Sequence, residues 1–224
     1  MLKALPVDED PAAPSFAPHP IDDVVARIRK EKPAVVFAPH VETSAGMMLP
    51  SEYIAAVAAA AHEVGGLFAL DCIASGTIWI DMQALGVDIL CSAPQKGWSG
   101  SPCAGLVMLS EAALARMEQT QSTSFSCDLA KWHSIMAAYL DGGHAYHATM
   151  PTDALRSFRD VVLETKAFGY SEAMTAQQQL GDRVRGLLTE RGFKSVAADG
   201  FGAPGVVVSY TGDPNIKNLS LIHI

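Results

Sequence analysis

Short apolar runs alternate with helical periodicities through the first half of the chain. Residues 34–38 (Ala-Val-Val-Phe-Ala) form a continuous apolar run, the pattern of a strand buried on both faces. Helical patterns span Ile21–Lys30 and Pro50–Val64. Ser51 is a candidate start of the second, alanines fill it, and Gly65-Gly66 stop it. A strand is expected over Leu67–Asp71, a short extended piece over Ile78–Ile80, and one helical turn over Asp81–Leu85, ended by Gly86. Strands over Asp88–Ser92 and Ala104–Leu109 follow, then a helix over Ser110–Glu118. Repeated strand–helix units of this kind predict an α/β fold with a mostly parallel sheet and helices on both faces.

The pattern changes after the midpoint. Leu129–Leu140, Asp153–Phe168 and Ser171–Arg191 read as helices, the last two separated near Gly169. Phe193–Ala197 and Val206–Tyr210 read as strands. The switch near Pro151 predicts a partial large domain over 1–151 and the start of a small α+β domain over 152–218. The last six residues, 219–224, do not continue the preceding loop and are read as a processing scar.

Composition narrows the class. With 49% hydrophobic and 18% charged residues, the 224-residue chain suits a buried core and not a disordered segment. A net charge of −8 argues against a nucleic-acid partner. The longest apolar run, Ile54–Ala61, is too short to cross a bilayer, and Met1–Pro20 carries no signal-peptide pattern. Cys72, Cys91, Cys103 and Cys127 show no CxxC pairing, which predicts free thiols and a cytoplasmic protein.

Three strand ends carry the candidate chemistry. His40–Gly46 follows the first strand, Asp71–Gly76 the second and Gln95-Lys96 the third. Open α/β sheets bind ligands beyond the carboxyl ends of their strands, so these segments should converge on one rim. A lysine in the small-residue turn Ser92–Gly100, with an aspartate closing the previous strand, is what pyridoxal 5′-phosphate chemistry needs. The lysine forms a Schiff base with the cofactor aldehyde, and the aspartate pairs with the protonated ring nitrogen. His144 and His147 have no matching ligand spacing for a metal, and Gly97–Gly100 lacks the P-loop spacing.

Four segments, His40-Val41-Glu42-Thr43-Ser44-Ala45-Gly46, Asp71-Cys72-Ile73-Ala74-Ser75, Ser92-Ala93-Pro94-Gln95-Lys96 and Tyr146-His147-Ala148-Thr149-Met150-Pro151, occur in order. In them the chain resembles the class V aminotransferases of pyridoxal-phosphate fold type I, in the alanine/serine–glyoxylate group, from about Ile21 to Asp213. Pro94 departs from the family's usual small residue. The resemblance implies Lys96 as the Schiff-base lysine and proton shuttle, its pKa lowered by burial, and Asp71 as the ring-nitrogen partner. It implies that Ile73 packs on one ring face, where plain core packing would select the same residue. Thr43 and Gln95 resemble ring or phosphate contacts, or serve as loop hydrogen-bonders. Ser75 assists near the ring or caps a turn. His40 touches substrate or caps its strand. Tyr146 and Thr149 resemble residues that reach the phosphate held by the neighbouring subunit of a homodimer, or mark a helix entry.

The implied reaction is transfer of an amino group between a small amino acid, of alanine or serine type, and a 2-oxo acid such as glyoxylate or pyruvate. The resemblance also places the family's N-terminal phosphate loop and its carboxylate-binding arginine outside this chain, so a fragment, inactive or poorly folded alone, is expected. The alternatives are a pyridoxal-phosphate lyase of cysteine desulfurase type and a truncated domain without catalysis. A desulfurase usually has histidine beside the lysine, where this chain has Gln95. A nucleotide-binding α/β enzyme would need a glycine fingerprint that His40–Gly46 does not supply.

Overall fold

A computed structural model describes residues 1–213 and Asn215. The segment 219–224 and the end of the expected second domain lie outside the described residues. In chain order the elements are β1 (Leu5–Pro6), β2 (Phe16–Ala17), α1 (Ile21–Glu31), β3 (Val35–Pro39), β4 (Val41–Glu42) and β5 (Met47–Met48). Next come α2 (Ser51–Glu63), β6 (Leu67–Asp71), α3 (Met82–Leu85), β7 (Ile89–Ser92), β8 (Leu106–Leu109) and α4 (Glu111–Glu118). The last three are α5 (Leu129–Leu140), α6 (Thr152–Phe168) and α7 (Tyr170–Glu190).

The main sheet has the order β3-β6-β7-β8. The β3–β6 and β6–β7 pairings are parallel, whereas β8 closes the sheet antiparallel to β7, so the sheet is mixed. Pro39 stands beside Asp71, and Asp71 beside Cys91. This register brings the carboxyl ends of three parallel strands to one rim, as the α/β reading requires.

β3 differs from expectation. It lies at the edge of the sheet, and only alternate residues are covered: Val36 and Ala38 pack on the core, while Val35 and Phe37 are 50% and 63% exposed. A continuous apolar run cannot tell a fully buried strand from an edge strand covered on one face. The main core joins Ile28 of α1, Ile54 and Val57 of α2, Phe68 and Leu70 of β6, and Leu90 of β7. Burial of the Phe68 and Leu70 side chains contributes about 1.5–3 kcal/mol each.

Helix boundaries follow capping chemistry. Asp81 accepts the Ala84 N–H, Ser110 the Ala113 N–H and Asp128 the Lys131 N–H, which fixes the starts of α3, α4 and α5. Pro50 precedes α2 without a side-chain cap, so Ser51 is its first helical residue.

Two expected features are absent among the described residues. Ile78–Ile80 is irregular, with the Trp79 indole N–H donating to the Tyr170 carbonyl. Phe193–Ala197 and Val206–Tyr210 form no strands. They meet at the isolated Ser195–Ser209 bridge, with Val196 N–H donating to Val208 O and Tyr210 N–H to Lys194 O. The first segment also accepts at Val196 O from Phe16 N–H, so its backbone groups are divided between two neighbours.

Candidate active site

The rim above β3, β6 and β7 carries the candidate chemistry. Asp71 is the last residue of β6 and is half-buried. Its Oδ1 accepts the Ile73 N–H at 2.9 Å, a local turn that fixes the carboxylate two residues ahead of the backbone it grips. Among the described residues no hydrogen bond engages Oδ2.

Lys96 follows β7 by four residues. Its N–H donates to Ala93 O at 3.3 Å, and its carbonyl accepts the Ser99 N–H at 2.9 Å. Pro94 is fully buried and anchors the turn by accepting the Gly100 N–H at 2.8 Å. Gln95 and Lys96 are exposed. The expected burial of Lys96 is therefore not found. Apolar flanks bury Ala93 and Pro94, and the turn that starts at residue 95 lifts the lysine out of the strand.

The lysine turn and the aspartate loop meet backbone to backbone. A Cβ on Gly97 would strike the carbonyl oxygen of Gly76, and Gly76 adopts φ +65°, a left-handed conformation that favours glycine. Behind this contact Trp98 packs at 4.8 Å from Trp79 and 5.9 Å from Phe158, while Trp79 sits edge-on to Tyr170 at 5.5 Å. Thr77 Oγ1 donates to Ala173 O at 3.0 Å. The turn after Lys96 and the loop after Asp71 are thus fastened together and to α6 and α7. Trp79, Trp98, Gly76 and Gly97 are separated along the chain, and no local pattern marks them as partners.

The remaining site residues fall into four places. Ser75 is 3% exposed, with its hydroxyl 2.7 Å from Nδ1 of His40, which is itself 2% exposed. Burial pushes the His40 ring down to about 4, so it is neutral at ordinary pH. His40 is therefore an internal residue, paired with Ser75. Ile73 is partly buried beside Asp71. Thr43 is exposed in the turn between β4 and β5, where Glu42 accepts the neighbouring Ser44 N–H and hydroxyl. Tyr146 and Thr149 are exposed and hydrogen-bonded to each other at 3.0 Å. No hydrogen bond among the described residues joins them to the Asp71–Lys96 group.

The thiols divide similarly. Burial pushes Cys72 up to about 12 and raises Cys91, with the nearby Asp71 charge adding to both. Neither is a nucleophile at neutral pH. All four cysteines are free, and Cys127 is the exposed one. No group of three or more potential ligands gathers for a metal among the described residues, nor is any described helix long and apolar enough to cross a membrane. A surface cavity of about 580 Å³ lies between Asp8, Ser15, Lys194 and Phe201, away from the rim.

The description "Aminotransferase class-V" matches residues 17–200. The chain belongs to the class V aminotransferase family. Similar proteins of this kind include the 2-aminoethylphosphonate–pyruvate transaminase of Vibrio vulnificus, 33% identical over 180 residues, 77% of this chain and 46% of that protein. The enzyme of the same name from Vibrio cholerae is 30% identical over 207 residues, 89% of this chain and 53% of that protein. The chain thus spans about half the length of these relatives. Among solved structures, alanine–glyoxylate aminotransferase from Nostoc superposes with a TM-score of 0.77 at 20% identity, covering 88% of this class V chain and 51% of that one. Pyridoxamine–pyruvate aminotransferase from Mesorhizobium loti gives 0.76 at 19%, covering 88% and 50%. The class V chain therefore has the fold type I architecture. A cysteine desulfurase from Thermococcus onnurineus shares that architecture at a TM-score of 0.64, so fold alone does not separate the two chemistries.

Proposed function

We propose that the protein carrying this chain is a pyridoxal 5′-phosphate-dependent transaminase with Lys96 as its cofactor lysine. The observation that carries this reading is the placement of Asp71 and Lys96 after adjacent parallel strands, in loops locked together at Gly76 and Gly97, within a class V aminotransferase chain. These residues fit the cofactor: an amine free of any ion pair among the described residues, and a carboxylate with one oxygen held by backbone and the other open.

When bound, pyridoxal phosphate supplies the electron sink that stabilises negative charge at the substrate Cα. Asp71 holds a proton at the ring nitrogen through a charge-assisted hydrogen bond. The Lys96 amine would hold the cofactor through its aldehyde and, once the substrate amine takes its place there, would be free to move a proton to and from Cα. Ile73 would pack against the cofactor ring. Thr43, Ser75 and Gln95 complete the surroundings of the cofactor, Ser75 from behind the Asp71 loop. Tyr146 and Thr149 serve the phosphate of a second subunit, so the active form is a homodimer. The exposure of both, and the absence of any described link to Lys96 in their own chain, support this arrangement. The partition into a large domain ending near Pro151 and a smaller one beyond it belongs to the same reading, as does a cytoplasmic location, supported by four free cysteines.

The acceptor is a small 2-oxo acid, glyoxylate or pyruvate, and the donor a small amino acid of alanine or serine type. The relatives' names favour a second donor, 2-aminoethylphosphonate with pyruvate as acceptor. Borohydride reduction of the protein with pyridoxal phosphate, followed by peptide mass mapping, tests the cofactor reading. The label is expected on Lys96 and absent in Lys96→Ala, and a label on another lysine sinks the assignment. Assays of alanine, serine and 2-aminoethylphosphonate against pyruvate and glyoxylate then assign the donor. Release of sulfide from cysteine, without keto-acid formation, would instead favour the desulfurase chemistry.

A further inference from the structure

His40 occupies a place that the proposed chemistry does not use. It follows Pro39 at the end of β3 and is almost fully buried. Its backbone N–H donates to Asp71 O at 2.8 Å, and its ring Nδ1 lies 2.7 Å from the Ser75 hydroxyl. One residue thus grips both ends of the loop Asp71–Ser75. Within that loop the Ile73 N–H holds Asp71 Oδ1, and the Ser75 N–H donates to Cys72 O at 3.2 Å. The histidine is itself fixed from the other side, because its carbonyl accepts the Leu49 N–H at 2.9 Å. The direction of the Asp71 carboxylate depends on the Ile73 turn, and the Ile73 turn depends on a loop pinned at each end by His40.

We propose that His40, through Ser75, is a positioning residue that holds the Asp71 carboxylate on the cofactor's ring nitrogen. This rests on the pyridoxal-phosphate reading above. A buried polar pair of this kind is costly unless both partners are satisfied. A plain packing role would be filled as well by leucine, which has no polar atom to satisfy. The depressed His40 titration keeps the ring neutral, so the pair works as a hydrogen bond and not as an ion pair.

The test compares two cofactors in the intact protein: pyridoxal phosphate and its 1-deaza analogue, in which carbon replaces the ring nitrogen. Binding is read by fluorescence titration, with no turnover required. His40→Leu and Ser75→Ala should each weaken pyridoxal phosphate by about tenfold, the worth of one misplaced hydrogen bond to a charged group, while the deaza analogue changes less than about twofold. His40→Asn, whose amide can reach the place of Nδ1, should recover most of the difference. In an Asp71→Asn background the His40→Leu effect on pyridoxal phosphate should disappear. Ser75→Ala removes a single oxygen and carries the test should His40→Leu fail to fold. Equal losses for both cofactors, or a His40 effect that survives Asp71→Asn, overturns the positioning role. Failure of the unsubstituted protein to bind pyridoxal phosphate overturns the cofactor reading and this inference with it.

Discussion

The two charges that define the candidate site differ in how tightly the fold holds them. Asp71 is held by its own backbone two residues on, while Lys96 stands exposed at the start of a turn. Substitutions should separate the two roles. Asp71→Asn keeps the shape and removes the charge, so turnover is expected to fall by about 10- to 100-fold, the worth of one charge-assisted hydrogen bond. Lys96→Ala should reduce turnover by about 10²–10⁴-fold through loss of the proton shuttle, and abolish covalent labelling. Steady-state kinetics beside borohydride trapping distinguishes them: Asp71→Asn retains the label and Lys96→Ala does not. Equal labelling in both variants would contradict the assignment. The places of Asp71 and Lys96 in the fold were legible in the sequence because Asp71 ends one apolar run and Lys96 follows the next strand by four residues, and an apolar run predicts where a parallel strand ends. The burial of Lys96 was misjudged because flanking residues report the environment of the strand and not of the turn after it. The internal position of His40 was not legible either. Its partner Ser75 lies 35 residues away, and nothing local pairs them.

At the scale of elements, helices were more legible than strands. Caps and glycine stops are written in adjacent residues, so Leu129–Leu140 was delimited fully and α3 was found with its Asp81 start and Gly86 end. The pairs β1–β2 and β4–β5 were missed because two-residue strands have no periodicity to detect. The antiparallel sense of β8 was missed because direction is a property of the connection and not of the strand. The contact between the lysine turn and the aspartate loop makes its own demand. Gly97→Ala must push the Gly76 carbonyl away, an overpacking cost of about 1–3 kcal/mol that falls on the site. Denaturant unfolding should show that loss, with cofactor affinity falling as well. A Gly97→Ala protein of unchanged stability and affinity would show that the two loops do not need to touch. Asp88 fastens the opposite end of the sheet. Its Oδ2 accepts the Phe68 N–H and meets His62 Nε2 at 2.7 Å, and its Oδ1 accepts the Ser110 hydroxyl. Burial pushes this carboxyl up, but the three hydrogen bonds outweigh it and the net shift is downward. A depressed carboxyl contributes stability above its unfolded value, near 3.9, and loses it as pH falls through the folded value. Asp88→Ala should therefore cost on the order of 3 kcal/mol at neutral pH and reduce the loss of stability in acid below about pH 4. Chemical denaturation at pH 7 and pH 3 measures both.

The whole molecule poses the question of how many chains make one site. Lys96 and Asp71 belong to one rim of the sheet, whereas Tyr146 and Thr149 are exposed and bonded only to each other among the described residues. If a second subunit receives them, a protein lacking Lys96 and a protein lacking Tyr146 and Thr149 are each inactive for a different reason. A mixed dimer then has one site with both defects and one with none. Random reassociation of equal amounts makes about half the dimers mixed, and each mixed dimer regains one of its two sites. Unfolding and refolding Lys96→Ala together with Tyr146→Ala/Thr149→Ala should therefore restore about a quarter of unsubstituted activity, while each variant refolded alone stays inactive. Within a single-chain site the two defects could never be separated, and mixing would restore nothing. The acid side of the stability curve supplies the control for refolding. His40 is neutral in the folded chain down to about 4 and takes a proton near 6.5 when unfolded. The unfolded state binds more protons between those values, so stability is full above about pH 6.5 and falls as pH drops toward about 4. Up to about 3 kcal/mol is lost across that window through this one residue, and His40→Asn should flatten the slope. Reassociation performed near neutral pH keeps every chain on the stable side of it. Restored activity there, absent from either variant alone, would place the two halves of the site on different subunits.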